Sequence, residues 1–227
     1  ALSATGCSDF LDEKLKSELA PDNTYTSSYG FEVGSTGLYA EARSEYNTWG
    51  ENGAFMHNAA CPYEALQIAT DLATMGTKDG SIQPFGFLTL TPNTGIVGSY
   101  WNWAYSLIAG ANEMLKYSEI NTNWDNSTDK ALYQAESRFF RAYAYRTLVY
   151  LYGDVPYVDK IQDQFRIDFT RTPKEEVIAH MVEDLLFAVE NLPTDPDALK
   201  VGKLTKWAAE PLLSEVYLMQ GDYAKAE

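Results

Sequence analysis

Three stretches of this chain repeat apolar residues at alternating spacings of three and four, a rhythm that places them on one face of a helix. Trp101, Ala104, Ile108, Ala111 and Leu115 share such a face, as do Leu132, Ala135, Phe139, Ala142, Tyr145, Val149 and Tyr152. The second of these helices is expected to stop at Gly153, with Pro156 just beyond. Ile178, Met181, Leu185, Ala188 and Leu192 carry the pattern on, and Pro193 ends it. Its start is expected at Thr172-Pro173-Lys174-Glu175, where threonine caps, proline suits the first turn and glutamate reaches back as a capping box.

Weaker signals fill in the rest. A helix is expected over 28–47, although Gly34 and Gly37 each cost it about 1 kcal/mol relative to Ala; two small residues three apart suggest close packing against a neighbour. Pro62 suits the first turn of a helix over 63–75. A last helix is expected over 205–220, with a kink near 207–211 because Pro211 lacks an N–H and crowds the preceding turn. Between them, 76–98 is rich in Gly, Pro and Thr and is expected to be a long loop, of the kind that often carries function. Strand signals are nearly absent. The expected fold is all-α, a helical array with long irregular loops.

Composition narrows the function. Asp and Glu number 32 against 17 Lys and Arg, a net charge of -15 that repels phosphate backbones and anionic lipid, so no nucleic-acid partner is expected. No apolar run reaches the roughly 18 residues that span a bilayer, which leaves an anchor as the route to a membrane. With only His57 and His180 available, and neither in a ligand spacing, no metal, cofactor or catalytic centre is expected. His180 falls within a predicted helix as a solvated or partly packed residue. The run Asp125-Asn126-Ser127-Thr128-Asp129 lacks the glycine and closing glutamate of a calcium loop and reads as turn and cap. Glu175-Glu176 is explained by helix-start charge.

The two ends of the chain are more specific. Ala4-Thr5-Gly6-Cys7 is similar to the last part of a bacterial lipoprotein signal, in which the cysteine carries lipid. A Cys7–Cys61 disulfide is the alternative use of that thiol. Leu213 through Ala226, with Tyr217, the Gly221-Asp222-Tyr223 turn and Ala224, resembles the first helix and turn of a tetratricopeptide repeat. Ser8-Asp9-Phe10-Leu11-Asp12 adds the start of a known pattern. It continues with Trp101 through Leu115, with Ala135-Glu136-Ser137-Arg138-Phe139-Phe140-Arg141-Ala142, and with Leu151-Tyr152-Gly153-Asp154-Val155-Pro156. It closes with Asp184-Leu185, Leu192-Pro193 and Lys203-Leu204-Thr205-Lys206-Trp207-Ala208-Ala209. Together these segments resemble the SusD-like (SusD/RagB) family of outer-membrane nutrient-binding lipoproteins, over nearly the whole chain.

That resemblance implies an outer-membrane, cell-surface lipoprotein of a Gram-negative bacterium, anchored through Cys7, with 1–20 as an extended tether. Residues 21–227 would form the N-terminal helical domain, ending inside a tetratricopeptide-like repeat. It implies noncovalent capture of a glycan and delivery to a partner TonB-dependent, SusC-like transporter, with no bond broken. The rival reading is a tetratricopeptide module that grips a protein or peptide, or a binding protein for peptide uptake. Aromatic residues on loops separate the two. Tyr46, Trp49, Phe85 and Phe87 are the expected ligand contacts, with Asn52 and Asp71 as hydroxyl partners. Trp101 and Trp207 fall on apolar faces and are assigned to the core, while Trp103 and Trp124 stay unassigned.

Overall fold

The computed structural model describes residues 21–45, 70–72, 83–161, 166–195 and 202–227. Eight helices form among them: α1 (Pro21–Thr24), α2 (Ser28–Ser44), α3 (Gln83–Gly86), α4 (Gly95–Ile120), α5 (Asp129–Tyr152), α6 (Lys174–Asn191), α7 (Lys206–Gln220) and α8 (Tyr223–Ala226). No strand forms among the described residues; Val155 and Thr172 make one isolated antiparallel bridge. The fold is the expected helical array. Each of α4 to α7 packs mainly on its neighbour in sequence, and α2 lies against both α4 and α5.

The periodic faces are the core. Ala104, Ile108, Ala111, Ala135, Ala142, Tyr145, Met181, Leu185 and Ala188 are all buried. Burying a large apolar side chain completely stabilises the fold by about 1.5–3 kcal/mol, and Trp103, Leu107, Met114, Leu148 and Val216 join that group. The fully buried Trp103 also donates its indole N–H to the Glu41 carbonyl at 2.8 Å. Trp124 is half-buried against Phe31, with ring centroids 4.6 Å apart.

Helix α5 is the centre of the array and is buried on more than its apolar face. Glu136, Ser137, Arg141 and Thr147 are inside as well. Arg141 pairs side-on with Asp184 of α6 through two bonds of 2.8 Å. Its remaining nitrogen reaches Asn112 Oδ1 of α4 at 2.8 Å and the Asp159 carbonyl at 3.0 Å. Burial disfavours the charged guanidinium, but the bonds and charge of Asp184 outweigh it and its pKa is raised. Glu136 accepts from Ser35 at 2.5 Å and Tyr39 at 2.7 Å, tying α5 to α2. Tyr39 in turn accepts the Leu204 N–H at 2.6 Å and so fixes the entry to α7.

Helix ends follow local chemistry with some exceptions. Gly153 closes α5 at φ 70°, a backbone that glycine takes without strain. Gly221 closes α7 in the left-handed region, where its N–H and that of Asp222 return to Leu218 and Tyr217. This is the expected repeat turn. The expected capping box at α6 does not form. Thr172 Oγ1 instead accepts the Tyr157 N–H at 3.3 Å, and the first α6 amide, of Lys174, goes to Asp154 Oδ1 at 2.9 Å. The cap therefore comes from the turn after α5, twenty positions upstream. The run 125–129 is a turn, as read: Asp125 N–H bonds Ser28 Oγ, which donates to Asp129, and Asp129 also receives the Asn126 N–H.

Other expectations are corrected. The stretch 76–98 is not one loop, because α3 lies within it and α4 begins at Gly95. Residues 70–72, within the expected 63–75 helix, form a bend; the rest of that stretch lies outside the described residues. A side chain at Gly34 would strike the Tyr25 ring at 2.5 Å, whereas Gly37 has no neighbour within 4 Å, so only one of the pair marks close packing. Helix α7 passes through Pro211 without a break, so any bend there is taken up inside a continuous helix. Trp207 is 58% exposed and not core, because the inward face of α7 is Ala209, Leu212, Leu213 and Val216. Its indole N–H is held by the Thr194 carbonyl at 2.9 Å.

Two substitutions test this account. Arg141→Ala leaves the buried Asp184 with only the more distant Arg138, 3.8 Å away, and should cost about 3–5 kcal/mol in urea unfolding, with Arg141→Met/Asp184→Leu costing less than the single change. Asp154→Ala should cost about 1 kcal/mol through the lost α6 cap, and Glu175→Ala less than that.

Candidate functional site

After Gly153 the chain runs back along α4, and the helices hold it by its backbone. Tyr105 of α4 donates its hydroxyl to the Pro156 carbonyl at 2.7 Å. Val158 is gripped at both ends: its N–H goes to the Tyr145 hydroxyl at 2.6 Å, and its carbonyl accepts from Asn112 Nδ2 at 2.8 Å. The Thr172 N–H bonds the Val155 carbonyl at 3.0 Å, which brings the end of the 166–172 stretch back to the same place. Tyr157 packs between Tyr145, at 5.1 Å, and His180, whose ring stacks parallel at 4.2 Å. His180 is thus partly packed, and its Nδ1 lies 3.3 Å from Glu183.

Between this segment and α4 lies a cleft of about 560 Å³. Trp101, Tyr105 and Phe169 supply aromatic walls, and Ile108, Pro156, Val158 and Ile161 add aliphatic surface. Trp101 is held by Tyr105, at 4.9 Å, and by an edge-on contact with Tyr152, at 5.2 Å. It is therefore only half-buried, and the assignment to core is corrected: one part of the ring packs and the residue lines the cleft. Phe169 is 43% exposed and Lys160 is exposed, so the cleft reaches the surface. Burial pushes the Tyr105 hydroxyl above the usual tyrosine range, which keeps its proton on the Pro156 bond. Glu113 lines the cleft as well and, after burial, is the main influence raising Tyr25. A concave, mainly apolar cleft with a few convergent polar groups is the usual form of a ligand site.

Of the ligand contacts expected from the sequence, those among the described residues, Asp71, Phe85 and Phe87, are not among the residues that line the cleft. Cys7, Tyr46, Trp49 and Asn52 lie outside the described residues, as do Cys61 and His57. Asp71 is exposed in the 70–72 bend. Phe85 belongs to α3, and Phe87 just beyond it is 66% exposed, followed by the exposed Leu88 and Leu90. Asp71 and Phe87 stand on separate described stretches. The cleft residues Tyr105, Asn112, Lys160, Ile161 and Phe169 were not anticipated. A signal for part of them was present, since Tyr105 and Asn112 sit in the Trp101–Leu115 stretch on positions beside the core face.

Among the described residues, no group of three or more His, Cys, Asp or Glu could hold a metal ion, and no helix is long and apolar enough to cross a membrane.

Comparison with known proteins places this arrangement. The chain is 30% identical to SusD-like protein P2 of Formosa agariphila over 99% of its own length and 42% of the relative's. It is 26% identical to a SusD-like protein of Bacteroides ovatus, over 98% of the chain and 38% of the relative. Its fold is similar to that of a laminarin-binding SusD-like protein (TM-score 0.71, 24% identity, 86% of this chain and 41% of that one). It is also similar to a structure with xylogluco-oligosaccharide (TM-score 0.69, 22% identity, 86% and 38%). The chain thus spans about two fifths of the length of the relatives it matches. The family pattern described as starch-binding, associating with the outer membrane, matches residues 9–218, and the chain belongs to this SusD-like family.

Proposed function

We propose that this chain is the N-terminal part of a surface-exposed outer-membrane lipoprotein that captures a glycan noncovalently and passes it to a TonB-dependent, SusC-like transporter. The observation that carries the glycan reading is the cleft beside α4. Its Trp101 and Tyr105 rings are fixed by packing, Phe169 stands exposed opposite them, and the three offer flat apolar faces of the kind that stack on the C–H faces of sugar rings. Names of related proteins support the reading, since one binds laminarin and another structure holds a xylogluco-oligosaccharide. Asp71, Phe85 and Phe87, with Tyr46, Trp49 and Asn52, are proposed as a second set of contacts. The lipid on Cys7 supplies the anchor.

Three outcomes are expected. Calorimetric titration with a panel of glycans should give saturable binding, and Phe169→Ala should weaken it about three- to tenfold, the effect of one lost aromatic contact. Phe87→Ala should weaken it by a similar factor. Saturable binding of peptides with none of any glycan would sink this reading in favour of a peptide-gripping module. In a full-length protein with its signal, Cys7→Ala should shift the protein from the membrane to the soluble fraction; unchanged fractionation would refute the anchor.

A further inference from the structure

We infer that the α4 cleft sorts glycans by the orientation of their ring hydroxyls, taking pyranoses with equatorial hydroxyls in preference to those with an axial one. This rests on the glycan reading above and deepens it. The polar side chains between the aromatic walls already serve the fold. The Tyr105 hydroxyl donates to Pro156 O, and Asn112 donates to Val158 O while accepting from Arg141. Asn112 is only 2% exposed, so the accessible inner surface, formed by the half-buried Trp101, Val158 and Ile161 and by the exposed Phe169, offers a ligand mostly carbon.

Sugar stereochemistry makes that surface selective. In a ring with all hydroxyls equatorial, both faces present axial C–H bonds, and the hydroxyls point sideways toward water and toward groups such as Lys160 and Glu113. An axial hydroxyl stands perpendicular to one face. In a β-1,4-linked chain successive rings are turned over, so some axial hydroxyls must point at the cleft whichever side the chain presents. A hydroxyl removed from water against Val158, Ile161 and Phe169 loses its solvent bonds without replacement.

Cellohexaose and mannohexaose are β-1,4-linked and differ by one axial hydroxyl per ring, which makes them the probes. Titration of the 227-residue chain should give cellohexaose an affinity about ten- to a hundredfold higher, the range for one unpaired buried polar group. Phe169→Ala, a change at an exposed site, should weaken cellohexaose binding and narrow the gap. Equal affinities, or tighter mannohexaose, both weakened by Phe169→Ala, would overturn the stereochemical preference and leave the cleft as a glycan site. No binding, or binding indifferent to Phe169→Ala, would overturn the cleft reading and the preference with it.

Discussion

The structure turns on one guanidinium. Arg141 sits in the middle of the central helix, nearly out of reach of water, and its hydrogen bonds reach three separate elements: Asp184 on α6, Asn112 on α4, and the backbone of the segment that follows α5. A buried charge is tolerated only with a partner and with its remaining protons satisfied, so these elements can move apart only at a large cost in energy. Asn112 hands the constraint on to Val158, and through it to the wall of the cleft. The geometry of a surface site is thereby referred to an ion pair in the core.

The same device recurs along α5. Asp129 at its start accepts hydrogen bonds from Ser28 and from Asn126, and Glu136, about two turns further on, accepts them from Ser35 and Tyr39. Three of these partners, Ser28, Ser35 and Tyr39, lie about a hundred residues away in sequence, on α2. Apolar packing alone would let α2 slide along α5, since hydrophobic contact has little directionality. The paired hydroxyls set its position along the axis.

What was legible in the sequence was the periodic part. Residues such as Ala104, Ile108, Met181 and Leu185 announce their faces because burial of a helix on one side imposes a 3.6-residue period. The period says nothing about a helix buried all round, so Glu136 and Arg141 look like solvent residues until Asp184 and Ser35 are placed beside them. Trp207 shows the converse error: it is apolar and near the right phase, yet it lies at the side of the face that α7 turns inward. The α6 cap was misassigned because Asp154 competes with Thr172 from outside any local window. The cleft was hidden for a related reason. One wall is helical and the other is a non-periodic segment whose course depends on Tyr105, Tyr145 and Asn112, three side chains that look like ordinary helix positions.

The way that segment is held has an evolutionary consequence. The hydrogen bonds by which helices α4 and α5 hold 156–159 all go to its carbonyls and amides. Main-chain groups are the same whatever residue bears them, so Lys160, Ile161 and Phe169 are exchangeable without loosening the wall on which they stand. A lineage could therefore alter the lining of the cleft by substitution at a few solvent-facing codons while the scaffold, with its demanding buried charges, stayed unchanged.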